Sequence, residues 1–267
     1  MKRTLKILIA ETKISMMASF QYRVQEGMAL LGLLVEALIY LVVWTTIARA
    51  KGGTVGGYTE GEFAGYFIAW TFVRHMTTGW SPWWMEMRIR RGEFNTLLLR
   101  PIHPYFVDMG RMMGMKTIAM MTLIPTIFIL TLIFKPEFAL IPWSLAALLP
   151  ALVLAFMMRY TLMYALAVTA FWTTRVTALF ELWFAVEFFT SGRVAPLSVL
   201  PEWALNIANI LPFQWMFAFP LELLLGRLSP QEALYGFLMQ GLWLTGTAIV
   251  VRVVWRSAVK QYAAVGG

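Results

Sequence analysis

The sequence predicts an all-α polytopic integral membrane protein with about six transmembrane helices, and three observations carry that prediction. First, 60% of the residues are hydrophobic and only 13% are charged. A soluble domain has about 25% charged residues, so this chain lacks the means to cover itself with a water-compatible surface. Second, several apolar runs approach or exceed the roughly 20 residues that a helix needs to cross a bilayer. Third, the chain has 12 Trp, some of them near the ends of those runs (Trp80, Trp83, Trp84, Trp143, Trp203 and Trp255), as aromatic belts at two membrane interfaces require. The pattern is long apolar runs, not short alternating segments, which excludes a β-barrel.

The chain opens with a basic stretch, residues 1–26. It starts like a signal peptide, yet Glu11 and Lys13 interrupt the apolar segment early and no small-residue cleavage site follows. It reads as a retained amphipathic helix lying along the membrane surface. The first apolar run covers about residues 27–47 and ends in a loop with Gly52, Gly53, Gly56 and Gly57. The second covers about 62–80. A basic segment, 85–111, follows. Here apolar Met85, Ile89 and Phe94 mix with Arg88, Arg90, Arg91 and Glu93, and Gly92 bends the helix before Pro101 stops it. A second short element starts at about Pro104. The third run covers about 115–134, the fourth about 143–173, the fifth about 176–190 and the sixth about 232–255. The fourth is longer than one crossing needs and must tilt or extend beyond the bilayer.

Between the fifth and sixth runs, residues 191–230 contain Pro196, Pro201, Pro212, Pro220 and Pro230. No single regular helix accommodates them, although the segment stays apolar. Short helices that dip into the membrane and return, packed against protein, satisfy both constraints. The expectation is an outer re-entrant hairpin before the last span.

Basic residues set the orientation. With the N-terminus inside, the inner segments hold Lys2, Arg3, Lys6, Lys13, Arg23, Arg88, Arg90, Arg91, Arg100, Arg111, Arg175, Arg252, Arg256 and Lys260. The outer segments hold only Arg49, Lys51, Lys135, Arg193 and Arg227. Both termini are therefore expected in the cytoplasm. The net charge of +8 follows from the same bias and comes with no nucleic-acid-binding motif.

Little enzymatic chemistry is visible. There is no cysteine, hence no disulfide, thiolate metal site or cysteine nucleophile. There is no GxxxxGK[ST] phosphate loop and no HExxH. His75 and His103 fall in different segments, and Ser81 near His75 lacks a nucleophile-elbow context. Five charged residues interrupt the apolar runs: Glu36, Arg74, Arg159, Glu181 and Glu187. Such residues pair with one another or line a polar path. Glu36 and Arg74 lie at comparable depth on successive spans, and Arg159 can meet Glu187 in the same way. Glu181 and Glu187 point about 120° apart on a helix, which argues against a proton relay built from those two alone. On the residues alone, an intramembrane enzyme and an ion-coupled transporter or channel remain alternatives to a partner-driven permease.

One motif carries a resemblance. The run Arg91, Gly92, Glu93, Phe94, Leu97, Leu98, Leu99, Arg100, Pro101 resembles a segment of the type-2 permease subunits of bacterial ATP-binding-cassette exporters. The stretch Gly192, Pro196, Leu200, Pro201, Trp203, Pro212 is similar to the same family's re-entrant segment. The resemblance implies a transmembrane permease of the bacterial cytoplasmic membrane that dimerises with an identical or homologous permease. It implies that the chain binds no cofactor, that ATP and Mg²⁺ sit on separate cytoplasmic ATPase subunits, and that cargo leaves the cell. Residues 85–111 would be the coupling segment. In it Ile89, Phe94 and Leu97 would anchor to the ATPase, while Arg90, Arg91 and Arg100 would steer it. The glutamate-phenylalanine pair at 93–94 departs from the family's usual small acidic residue followed by an aliphatic one.

Overall fold

The computed structural model describes residues 2–21, 23–79, 82–173 and 176–261. Trp80, Ser81 and Arg175 lie outside the described residues. The helices are α1 (Lys2–Gln21), α2 (Arg23–Ala50), α3 (Glu60–Thr77), α4 (Pro82–Arg90), α5 (Phe94–Leu98), α6 (Pro104–Phe134), α7 (Pro142–Val168), α8 (Thr177–Thr190), α9 (Glu202–Ile210), α10 (Phe213–Met216), α11 (Ala218–Leu224) and α12 (Pro230–Gln261). Two strands, β1 (Thr54–Val55) and β2 (Tyr58–Thr59), form a minimal antiparallel hairpin between α2 and α3.

The six apolar runs correspond to α2, α3, α6, α7, α8 and α12. Among the described residues, three helical stretches are long and apolar enough to cross a membrane by length and composition: Pro104–Phe134, Pro142–Phe171 and Pro230–Lys260. The 14 residues of α8 span only about 21 Å, less than the hydrocarbon core. The sixth span is longer than the expected 232–255 at both ends, α12 running Pro230–Gln261.

The largest boundary difference is at α6. The sequence placed residues 104–111 in a separate short element. They are instead the first turns of a 31-residue helix. His103 caps it, its Nδ1 accepting the Tyr105 N–H at 3.2 Å, and Pro104 occupies the first turn. A proline there loses no hydrogen bond and already has the helical φ, so its position starts the helix.

The bundle is organised around α7, whose residues enter all three apolar clusters. Leu148 and Leu152 pack with α2, α3 and α11. Phe156, Tyr160 and Tyr164 pack with α5, α6 and α12. Ala151 and Met158 pack with α10 and α11. Polar groups on lone helix faces are answered by backbone: Ser144 Oγ donates to Leu223 O at 2.6 Å, and Gln240 Nε2 to Ala151 O and Trp215 O at 3.1 and 2.8 Å.

α1 lies against the first half of α6. A Cβ at Gly114 would fall 2.5 Å from Thr12 O, and one at Gly110 would fall 2.9 Å from Leu8 O. The two glycines are four apart, the small-residue spacing that lets helix backbones approach closely. Ser15 and Ser19 are buried in this seam, and Ser15 Oγ donates to Arg111 O at 2.7 Å. Leu5, Ile9, Met17 and Phe20 lie on an exposed face of α1.

Candidate functional site

Two constellations stand out, at different levels of the bundle. The first is a chain of buried charges. Arg74 on α3 pairs with Glu36 at the middle of α2. Glu36 also takes Arg193 at 3.3 Å, Arg193 lies 3.9 Å from Glu187 on α8, and Glu187 takes Arg159 of α7 at 2.5 Å. The Trp183 indole N–H donates to Glu187 at 3.1 Å. The structure thus brings Glu36 to Arg74 and Glu187 to Arg159. Glu181 is exposed on α8, away from this cluster.

Arg193 joins the two pairs, and the sequence reading missed it. The charge pattern places it with the outer segments, after the fifth run and before the prolines. It is 8% exposed. The cause is the turn at 191–194, where four successive carbonyls all accept hydrogen bonds. Ala218 N–H donates to Ser191 O at 3.1 Å. Tyr66 hydroxyl donates to Gly192 O at 2.6 Å, Trp70 indole to Arg193 O at 3.0 Å, and Trp44 indole to Val194 O at 2.7 Å. Gly192 has φ of 89°, and a Cβ there would sit 3.0 Å from both Tyr66 Oη and Ala218 Cβ, so only glycine fits this left-handed, crowded position. No linear motif announces the turn. Its signal is a cluster of aromatic donors on α2 and α3 that need acceptors.

The rest of the proline-rich segment consists of short helices. Pro196, Pro201 and Pro212 each stand just before a helical stretch, at Leu197–Val199, α9 and α10. Trp203 on α9 is exposed, whereas Phe213 to Leu223 are largely buried between α7 and α12. At the hairpin end, Arg227 pairs with Glu62 at 2.5 Å, stacks 3.9 Å over the Tyr58 ring and donates to Gly57 O at 2.9 Å. Tyr58 donates to Glu222 at 2.5 Å. Burial, with the Glu222 charge second, pushes the Tyr58 phenol far above its usual range.

The second constellation is the arginine-bearing segment at the opposite end of α3. After α4 the chain turns at Gly92, whose φ is 69°, and continues as α5. The segment is bolted to its neighbours. Arg88 donates to both oxygens of Asp108 on α6, at 2.7 and 2.9 Å. Glu11 of α1 lies 3.4 Å from Arg100 and 3.2 Å from Arg111. Glu86 accepts from Val176 N–H at 3.4 Å.

The anchors expected to face a partner point inward. Phe94 is fully buried, its ring 5.1 Å from Phe171 and 5.9 Å from Trp255. Leu97 is 6% exposed, and Ile89 and Leu98 are half-buried against the same cluster. The reason is helical phase: on a five-residue helix after a sharp glycine turn, positions 94, 97 and 98 share the face that meets α7 and α12. The outward face belongs to Leu99, 86% exposed, with Arg90, Arg91, Glu93 and Arg100 around it. A cavity of about 420 Å³ opens beside them, lined by Glu86, Met87, Arg90 and Arg91. The His103 and Trp255 rings lie 4.2 Å apart, tilted by 47° to one another. Burial there pushes the His103 imidazole below its ordinary pKa.

The comparison with protein families bears on these readings. The family model described as ABC-2 family transporter protein matches residues 34–266. The chain belongs to that family. A comparison with curated proteins found no match. An ABC-2 chain is the membrane component of a transporter, and family membership implies association with ABC ATPases. Among the described residues, no group of three or more His, Asp or Glu side chains could hold a metal ion.

Proposed function

We propose that the chain is the permease of an ATP-driven exporter of the bacterial cytoplasmic membrane, with both termini in the cytoplasm. In this reading it dimerises with an identical or homologous permease and moves an amphipathic or hydrophobic cargo outward. ATP and Mg²⁺ bind on separate ATPase subunits, and this chain catalyses no reaction.

The observation that carries the reading is the rigid lever formed by α4, Gly92, α5 and Pro101. Its inner face is packed by Phe94 and Leu97, and its ends are tied to α6 by Arg88–Asp108 and to α1 by Arg100–Glu11. Its outer tip offers Leu99 ringed by charges. Apolar centres with charged rims are how protein interfaces gain affinity and orientation. A lever fixed at both ends would transmit displacement of its tip to α6, α1 and, through the Phe94 cluster, α7, so closure of the ATPases would tilt those helices. The ATPase would therefore seat on Leu99, Arg91 and Glu93, while Phe94 holds the lever to the bundle.

The test is co-expression with the cognate ABC ATPase. The isolated chain should hydrolyse no ATP. Leu99→Asp should release the ATPase during purification while the permease stays inserted and folded. Retention of the ATPase by that variant, or ATP hydrolysis by the permease alone, would overturn the assignment.

A further inference from the structure

The buried ion chain does not close. It contains three arginines, Arg74, Arg159 and Arg193, against two carboxylates, Glu36 and Glu187, each carboxylate shared by two of the arginines. One positive charge is left over in a setting where an unbalanced ion is costly. The hydrogen-bond inventory points the same way. Arg159 Nε and Arg193 Nε are buried without an acceptor, as is the Ser191 hydroxyl at the start of the same turn. Arg159 and Arg193 are themselves 5% and 8% exposed. A network that served only to fix helix packing would gain by neutralising the charge and pairing those donors. Glu187 Oε1 is also without a hydrogen bond, but it is engaged in the ion pair with Arg159 at 2.5 Å, so what the cluster lacks is one negative charge and acceptors for the two Nε groups.

The cluster also has an open end and a closed end. The side chains of Arg74 and Glu36 are about a quarter exposed, at 26% and 28%. Those of Arg193, Arg159 and Glu187 fall to 10%, 7% and 0%. Aromatic rings border the open end. Arg74 stacks 4.7 Å over Trp70, and Tyr40 lies 6.1 Å from Trp70 and 6.5 Å from Phe188. Trp70 is itself fully buried, so an entering ligand meets the half-buried Tyr40 and Phe188 rings beside the Arg74–Glu36 pair.

We propose that this arginine cluster is a binding site for the anionic headgroup, a phosphate or carboxylate, of an amphiphilic molecule whose apolar tail lies along the aromatic rim. Resting on the transport reading above, it names the cargo class: an anionic amphiphile. On arrival the headgroup supplies the missing charge and takes the unpartnered donors, and Glu36 is free to give up one of its two arginines. Charge-assisted contacts of this kind are the strong ones.

The experiment uses the full chain purified in neutral maltoside micelles, without any ATPase, so that it reads headgroup binding independently of partner docking. The melting temperature is followed while dodecyl phosphate, dodecyltrimethylammonium or inorganic phosphate is added. Dodecyl phosphate should raise it saturably and the cationic analogue should not. Inorganic phosphate should act at least about a hundredfold more weakly, since it lacks the tail. Arg193→Gln removes the surplus charge while the four backbone hydrogen bonds keep the turn. It should weaken the dodecyl phosphate response by about tenfold or more, the scale of one charge-assisted contact. Arg193→Lys should keep most of the response, and Glu36→Gln, which adds to the surplus, should strengthen it. Arg90→Gln with Arg91→Gln, on the exposed lever, should leave it unchanged. An undiminished response in Arg193→Gln overturns the proposal, as does an equal response to the cationic amphiphile. Inorganic phosphate acting as strongly as dodecyl phosphate would reduce the site to a simple anion site and overturn the amphiphile assignment. A loss confined to the Arg90/Arg91 variant would place the binding on the surface and overturn it too. The ATPase co-purification test is unaffected by any of these outcomes.

Discussion

Glu187 is the most constrained charge in the bundle, and its removal gives the sharpest test of the buried ion chain. Its side chain is fully buried, 2.5 Å from Arg159 and 3.9 Å from Arg193. Glu187→Gln keeps the volume and an oxygen for the Trp183 indole, but it removes the one carboxylate paired with Arg159 among the described residues. The cluster's surplus then rises from one positive charge to two. Deleting one member of a buried pair costs about 3–5 kcal/mol, because the partner stays in a low-dielectric site without compensation. Glu181→Gln, on the same helix but exposed, should change stability by no more than about 0.5 kcal/mol. Adding Arg159→Met to Glu187→Gln removes the stranded charge, so the double variant should be less destabilised than the sum of the singles by about 1–3 kcal/mol. The assay is equilibrium unfolding in mixed micelles, run as a double-mutant cycle. Strict additivity of the two changes, or a Glu187→Gln variant as stable as wild type, would refute the argument that this pair is electrostatically buried.

Two further predictions concern the lever and its supports. Gly114→Val places a Cβ 2.5 Å from Thr12 O and near Ser15, so α1 must move off α6. Overpacking of this kind costs about 1–3 kcal/mol, and limited proteolysis should cut within α1 faster, whereas Gly241→Ala, with open space around it, should not destabilise. His103 is held below its ordinary pKa by burial, and its Nδ1 caps α6 as an acceptor. Its contribution to stability is therefore present above about pH 6.5, the unfolded value, and is lost as pH falls through the depressed folded value. His103→Asn, which retains a capping oxygen, should flatten that part of the melting-temperature profile relative to wild type.

How much of this was readable in advance divides along physical lines. Apolar runs announce helices because burying backbone in lipid leaves few other solutions, so the all-α membrane architecture and the order of its helices followed from composition and length. Charges inside those runs announced partners, because lipid tolerates few unpaired ions, and Glu36 did meet Arg74 as Arg159 met Glu187. The third arginine was hidden. Arg193 follows a run of aromatic residues and a glycine, which reads as the exit from the membrane, and the aromatic donors of α2 and α3, with the Ala218 N–H, draw that turn back into the core. The close seam of α1 and α6 had a visible sign in Gly110 and Gly114, four residues apart, that the charge pattern of the segment overshadowed.

The segment from Pro82 to Pro101 shows why side chains expected to face outward can turn inward. Sequence marks which side chains are apolar, but a five-residue helix after a left-handed glycine has no periodicity long enough to tell its buried face from its exposed one. Phe94 and Leu97 look like anchors for a partner because they are large and lie among arginines. In the folded chain they anchor the lever to the bundle, through Phe171, Trp255 and the cluster around Tyr164. That arrangement is mechanically the better one. A tip that held its partner through flexibly mounted side chains would absorb displacement locally. In the proposed coupling role, a tip whose base packs with Tyr160 and Tyr164 would pass force applied at Leu99 to α7, the helix that carries Arg159.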